Sequence, residues 1–146
     1  MQADIRVAAD DSQFAIPAAR LGLGFGFGLA GVTALTNLVG PASTAEILLS
    51  AGRFPAADAF RMGLVNRVVA ASDLRDETMT LARAVAQNAP LTLAACKAAI
   101  RETGRSPGQR DTARVEAMIE ACFRSDDYRE GQRAFAEKRP PAFTGH

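Results

Sequence analysis

Between Leu21 and Ala45 the chain carries no charged side chain, yet six of its positions there are glycine: Gly22, Gly24, Gly26, Gly28, Gly31 and Gly40. A stretch of this length without charge raises the question of a bilayer span. Alternating glycine, with Thr33, Thr36, Asn37 and Pro41, makes it neither strongly apolar nor a good helix throughout. The expectation is no membrane span but a glycine-rich loop from Leu21 to Gly31, where the backbone comes close to something. The first residues, MQADIR, carry an early acid and no apolar run, which is not a secretory signal pattern.

Charge is otherwise concentrated at the far end. Residues 1–52 hold only Asp4, Arg6, Asp10, Asp11, Arg20 and Glu46, whereas residues 101–146 hold nine basic and eight acidic side chains. The front third therefore reads as core and the back third as solvated helix. With 17 basic against 16 acidic residues, the net charge of +1 gives no driving force for a nucleic-acid or anionic membrane surface. Cys96 and Cys122 form neither a disulfide framework nor a metal-ligand spacing, as expected of a reduced, cytoplasmic protein.

Local patterns give the element order. Ala3 to Ala9 alternates around Ile5 and Val7 and runs into the turn residues Asp10, Asp11 and Ser12, so a strand is expected there, with a second short extended piece from Gln13 to Ile16. Val32 to Val39 has helical spacing and stops at Gly40-Pro41, and Ser43 is a candidate cap for a further helix through Leu49. A short helix over Ala56 to Met62 should stop at Gly63 and lead into a strand over Leu64 to Val69. Four helices then follow: from Ser72 or Asp73 to about Asn88, from Pro90 to Gly104, from Ser106-Pro107 through Phe123, and from Ser125 to Lys138. Two or three strands do not make a protected sheet on their own, so partner strands are expected from elsewhere.

Few residues offer chemistry. Gly26, Gly28 and Gly31 spell G-x-G-x-x-G with Glu46 twenty residues past Gly26, but no uninterrupted strand leads into them and Glu46 falls within a helix. Dinucleotide binding is thus a minor alternative to a structural glycine loop. The only histidine is His146, which leaves no Ser-His, Cys-His or metal-histidine constellation, and no metal site is expected. Cys96 and Cys122 read as packing residues, and Asp126-Asp127 as helix-capping carboxylates favoured by the dipole.

Read in order, Ala3 to Pro17 (ADIRVAADDSQFAIP) resembles the enoyl-CoA hydratase/isomerase, or crotonase, superfamily. The later segments agree: LVGPA from Leu38, EILLSAGRF from Glu46, AADAFRMGLVNRVV from Ala56, NAPL from Asn88, SDDYREG from Ser125 and FAEKRPPAF from Phe135. The resemblance runs along the whole chain and corresponds to the back half of that family. It implies an α/β fold, the closing part of a ββα spiral over residues 1–70 followed by a helical trimerisation region over residues 71–146. Acyl-CoA is the implied substrate, with coenzyme A entering as part of it and no separate cofactor. Fatty acid metabolism and a homo-oligomer, trimer or hexamer, or assembly with homologous subunits, are implied as well.

The family holds the thioester oxygen between two backbone N–H groups, placed where enolate charge develops. Both lie in segments upstream of Ala3, including a Gly-Gly-Gly turn, and are not in this sequence. The acid that follows proline in the family's hydratases falls here on Ala18, which cannot transfer a proton. No catalytic residue is therefore assigned. Lys138 matches the family lysine that meets the phosphates or adenine of coenzyme A, whereas the family's aromatic contact falls on Ile119. Two readings follow: an enzyme lacking its upstream half, weakly active or inactive alone, or a non-catalytic module that joins crotonase-type oligomers.

Overall fold

A computed structural model describes residues 3–19 and 26–146 of the chain. Arg20 and the first part of the expected glycine loop, residues 21–25, lie outside the described residues. The chain divides into two compact units, residues 1–79 and 80–146.

The first unit is built on two small strand pairs. Strand β1 (Val7–Ala9) runs parallel to β4 (Arg67–Val69), and β2 (Gln13–Ala15) runs antiparallel to β3 (Arg53–Pro55). The strand expected over Ala3 to Ala9 is thus confined to its last three residues, and the one expected over Leu64 to Val69 begins at Arg67. Side chains close the parallel pair at both ends: Asn66 Oδ1 accepts from the Arg6 N–H at 2.8 Å, and Asp10 Oδ1 accepts from the Ala71 N–H at 3.1 Å. Strand β3 was not expected from the sequence. It forms because Phe54 pairs with Phe14, their rings stacked at 6.0 Å, while Pro55 can stand where no donor is needed.

Helix α1 spans Leu29–Ser50 but is broken at Gly40, whose φ of 79° no helix interior allows. The expected stop at Gly40-Pro41 is therefore real, with Pro41 opening the second half. Ser43 is not its cap; Thr44 instead donates its hydroxyl to the Gly40 carbonyl at 2.7 Å. The segment has the length and hydropathy of a membrane span, but neither half reaches the roughly 17 residues that crossing requires. Helix α2 (Ala56–Arg61) ends as expected, with Gly63 at φ 78° letting the Leu64 N–H return to the Ala59 carbonyl at 2.8 Å. The core between these elements joins Leu35, Ile47, Met62, Leu64 and Val65 to Ala8, Ala56 and Ala59.

The second unit is helical. Helix α3 (Leu74–Ala86) leads into it, and α4 (Pro90–Thr103) packs on α5 (Thr112–Arg124), which packs on α6 (Asp126–Glu137). Helix α5 starts later than expected. Pro107–Gln109 makes only a 3-10 turn, and the helix is capped by Asp111, which accepts from the Arg114 N–H at 3.0 Å. Ser125 caps α6 in the same way through the Tyr128 N–H at 3.0 Å.

Candidate functional site

Ala18 lies in a 3-10 turn, Pro17–Ala19, just after β2 and packed on α1. An apolar pocket of about 180 Å³ opens beside that strand, lined by Phe14, Ile16, Leu35, Phe54 and Val65. Among the described residues its one charged lining group, Arg6, is engaged in structure, its Nε donating to the Leu64 carbonyl at 2.5 Å and its Nη1 to the Ala3 carbonyl at 2.9 Å. The methyl group of Ala18 supplies no proton, so the turn contributes shape and no acid–base function.

The glycine pattern after it lacks the strand-end acid of a dinucleotide site. A β-carbon at Gly26 or Gly28 would meet nothing within 4 Å, and Glu46 stands exposed on α1 rather than at a strand end. Only Gly31 is crowded, by the Phe27 ring at 2.8 Å, which is local packing. Among the described residues no group of three His, Cys, Asp or Glu side chains could hold a metal ion.

Lys138 belongs to the second unit and is exposed at the C-cap of α6 with φ 54° and ψ 39°. That left-handed conformation is the usual place of glycine. Three residues that sequence reasoning did not single out build the surroundings. The Glu130 carboxylate is buried along α6 and receives the guanidinium groups of Arg133 and Arg139, together with the Ala142 N–H at 3.0 Å. Arg139 also donates to Glu137 at 2.6 Å. Hydrogen bonds from Arg139 and then Arg133 hold the Glu130 carboxyl well below the usual glutamate range.

The sign of that shift sets a pH dependence. A carboxyl depressed in the fold stabilises it above its unfolded value and loses this contribution as pH falls through the folded one. The melting temperature of the helical unit should therefore fall on acidification below the ordinary glutamate value of 4.5. In Glu130→Gln the melting temperature should start lower at pH 7 and change less by pH 3; parallel profiles for the two proteins would contradict this.

Asp127 is the larger surprise. Expected as a capping carboxylate, it is 3% exposed and reaches the C-terminal tail instead, accepting from the Thr144 N–H at 2.7 Å and the Gly145 N–H at 2.9 Å. The His146 carbonyl returns the contact by accepting from the Asp126 N–H at 2.7 Å, at the amino end of α6. This strap brings Phe143 beside Gly131, where a β-carbon would be 3.7 Å from the ring.

Phe143 forms one wall of an apolar groove of about 620 Å³ between α4, α5 and α6, lined also by Leu91, Ile119, Phe123, Tyr128 and Phe135. Cys96 is exposed on this groove rather than in a core as expected, because α4 buries Ala95 and leaves the next position uncovered. Cys122 is half-buried on the same groove. Ile119, at the departed aromatic position, is 44% exposed there. The three positions carried by the resemblance thus divide between the units, Ala18 in the first and Ile119 and Lys138 in the second.

Comparison with known proteins gives these features their context. Carnitinyl-CoA dehydratase of Salmonella agona is 36% identical to 99% of the chain, which covers 56% of that relative. The solved enoyl-CoA hydratase/isomerase family protein from Hyphomonas neptunium superposes with a TM-score of 0.85 at 30% identity, over 99% of this chain and 54% of its own. Enoyl-CoA hydratase from Mycobacterium marinum gives 0.83 at 34% identity, over 98% and 56%. The chain spans about half the length of the relatives it matches and has the corresponding part of the crotonase fold. The enoyl-CoA hydratase/isomerase family profile matches residues 1–146 from end to end, and the chain belongs to that family.

Proposed function

We propose that the chain is the coenzyme A-handling and assembly-forming part of a crotonase-type enzyme of the cytoplasm, acting on acyl-CoA thioesters by hydration or isomerisation through an enolate. The observation that carries this reading is Lys138, exposed on a left-handed turn that a lysine adopts only at a cost. Its ammonium suits a coenzyme A phosphate as a point charge. Ala18 is not a proton donor, so any water activation comes from groups other than that position.

Two measurements test this. Coenzyme A titrated calorimetrically into the chain should bind, with Lys138→Ala weakening it about 3–5-fold, the scale of one exposed charge contact. Crotonyl-CoA hydration by the 146-residue chain should run at the buffer rate. Unchanged coenzyme A affinity in the variant would refute the lysine's role, and turnover well above buffer would refute the reading of Ala18.

The second reading, a module that joins crotonase-type subunits into a trimer or hexamer, is favoured by the groove. Phe123 is 61% and Phe135 88% exposed there, large apolar side chains of the kind that subunit contacts cover. Light scattering should give a mass above one chain, and a clean monomer that ignores homologous subunits would remove this reading.

A further inference from the structure

We propose that Glu130 is a positioning residue for Lys138, setting the left-handed turn from which that lysine projects; its functional meaning rests on the coenzyme A reading above. Lys138 and Ala51 are the two non-glycine residues with positive φ among those described. Such a conformation persists only where the surrounding structure over-determines it. The backbone does part of this: the Lys138 N–H donates to the Phe135 carbonyl at 3.2 Å and the Arg139 N–H to the Ala134 carbonyl at 3.0 Å. These bonds define the turn, and Asp127 holds Thr144 and Gly145 at the far end of the tail, which leaves residues 139 to 142 between them to be secured.

Glu130 secures them. From two turns back along α6, its Oε1 receives Arg139 Nη1 at 2.5 Å and its Oε2 receives Arg139 Nη2 at 3.1 Å, a two-pronged fork that fixes the residue directly after the lysine. The same Oε1 accepts from the Ala142 N–H at 3.0 Å, so the carboxylate also holds the chain beyond Pro140 and Pro141. Those prolines have fixed φ, and the first disfavours helix at Arg139. Residues 139 to 142 are thereby tied to one buried carboxylate, and Lys138 stands exposed at the turn they leave. Arg133, the third partner, approaches Glu130 from α6 itself, so the fork to Arg139 is the part that bears on the lysine.

The experiment is a double-mutant cycle on the full chain, read in two independent ways. Coenzyme A is titrated into the parent, Glu130→Gln, Lys138→Ala and the double variant, and amide hydrogen exchange is followed at Lys138 and Arg139 with the α5 amides as the internal reference. The expected result is an affinity loss of about 2–4-fold for Glu130→Gln when Lys138 is present and none when it is alanine. Relative to the α5 amides, the Lys138 and Arg139 amides should exchange about tenfold faster in Glu130→Gln than in the parent. Exchange at the two amides as slow as in the parent, or an equal affinity loss in both backgrounds, would overturn the proposal. Accelerated exchange with coenzyme A affinity indifferent to Lys138 upholds the hold of Glu130 on the turn and overturns the coenzyme A reading alone. Should Glu130→Gln fail to fold, Arg139→Gln removes the fork while keeping Glu130 on Arg133, and the same pattern is expected of it.

Discussion

Replacing Leu35 by alanine is expected to destabilise the first unit by roughly 3–4 kcal/mol, within the range of buried leucine truncations that leave a cavity. Leu35 is 3% exposed and belongs to one cluster with Ile47, Met62, Leu64 and Val65, in which Ala8, Ala56 and Ala59 fill the remaining positions. The three alanines have no rotamers with which to close a void, which limits how far the core relaxes. A loss of this size is a large fraction of a small domain's total stability, so the variant should lose its cooperative urea transition or show a strongly lowered midpoint at unchanged slope. A loss under about 1 kcal/mol would mean that Leu35 does not anchor the core.

Asp127→Ala should cost the helical unit roughly 2–4 kcal/mol, because the change removes two charge-assisted hydrogen bonds, from the Thr144 and Gly145 N–H groups to a buried carboxylate. Its effect should extend beyond stability. With the strap released, Phe143 loses its place beside Gly131 and the groove loses a wall. Hydrogen exchange at Thr144 and Gly145 should rise to the rate of an unstructured tail, and binding of the apolar dye ANS to the chain should change in the same variant. Asp126→Ala is the control: its side chain is exposed in an ion pair with Arg129, and it should shift stability by well under 1 kcal/mol. Equal effects from the two neighbours would show that the tail is not held by Asp127.

The helix boundaries were legible because their causes are local. Gly40-Pro41, Gly63, Pro90, Gly104 and Ser125 each act within a turn of their own position, through φ preference or a cap, and the structure uses every one of them. The strands were legible only in part. Three-residue strands depend on the partner that meets them, and Arg53–Pro55 has no alternating pattern to announce it until Phe54 finds Phe14. Cys96 was misplaced because helical spacing shows which residues share a stripe and not whether anything covers it.

The site divides along the same line. Ala18 and Lys138 were marked by the resemblance, which is a matter of order along the chain. Asp127 and Glu130, three apart on α6, look in sequence like ordinary carboxylates of a solvated helix. They become buried only because residues 139 to 146 fold back over them. A clue did exist in Arg139 followed by Pro140-Pro141, where a fork-shaped cation is fixed at a helix exit.

The parallel pairing of Val7 with Arg67 has a kinetic consequence. Bringing together residues 60 apart incurs a chain-closure entropy of roughly 3.6 kcal/mol before any contact repays it. The helical unit forms from neighbours along the chain and has no comparable barrier. Refolding from urea should therefore be biphasic, with helix signal recovered early and the burial of Leu35 and Ile47 completed late. During that delay β1 and β4 expose unpaired edges, which is when a strand from another molecule competes most effectively.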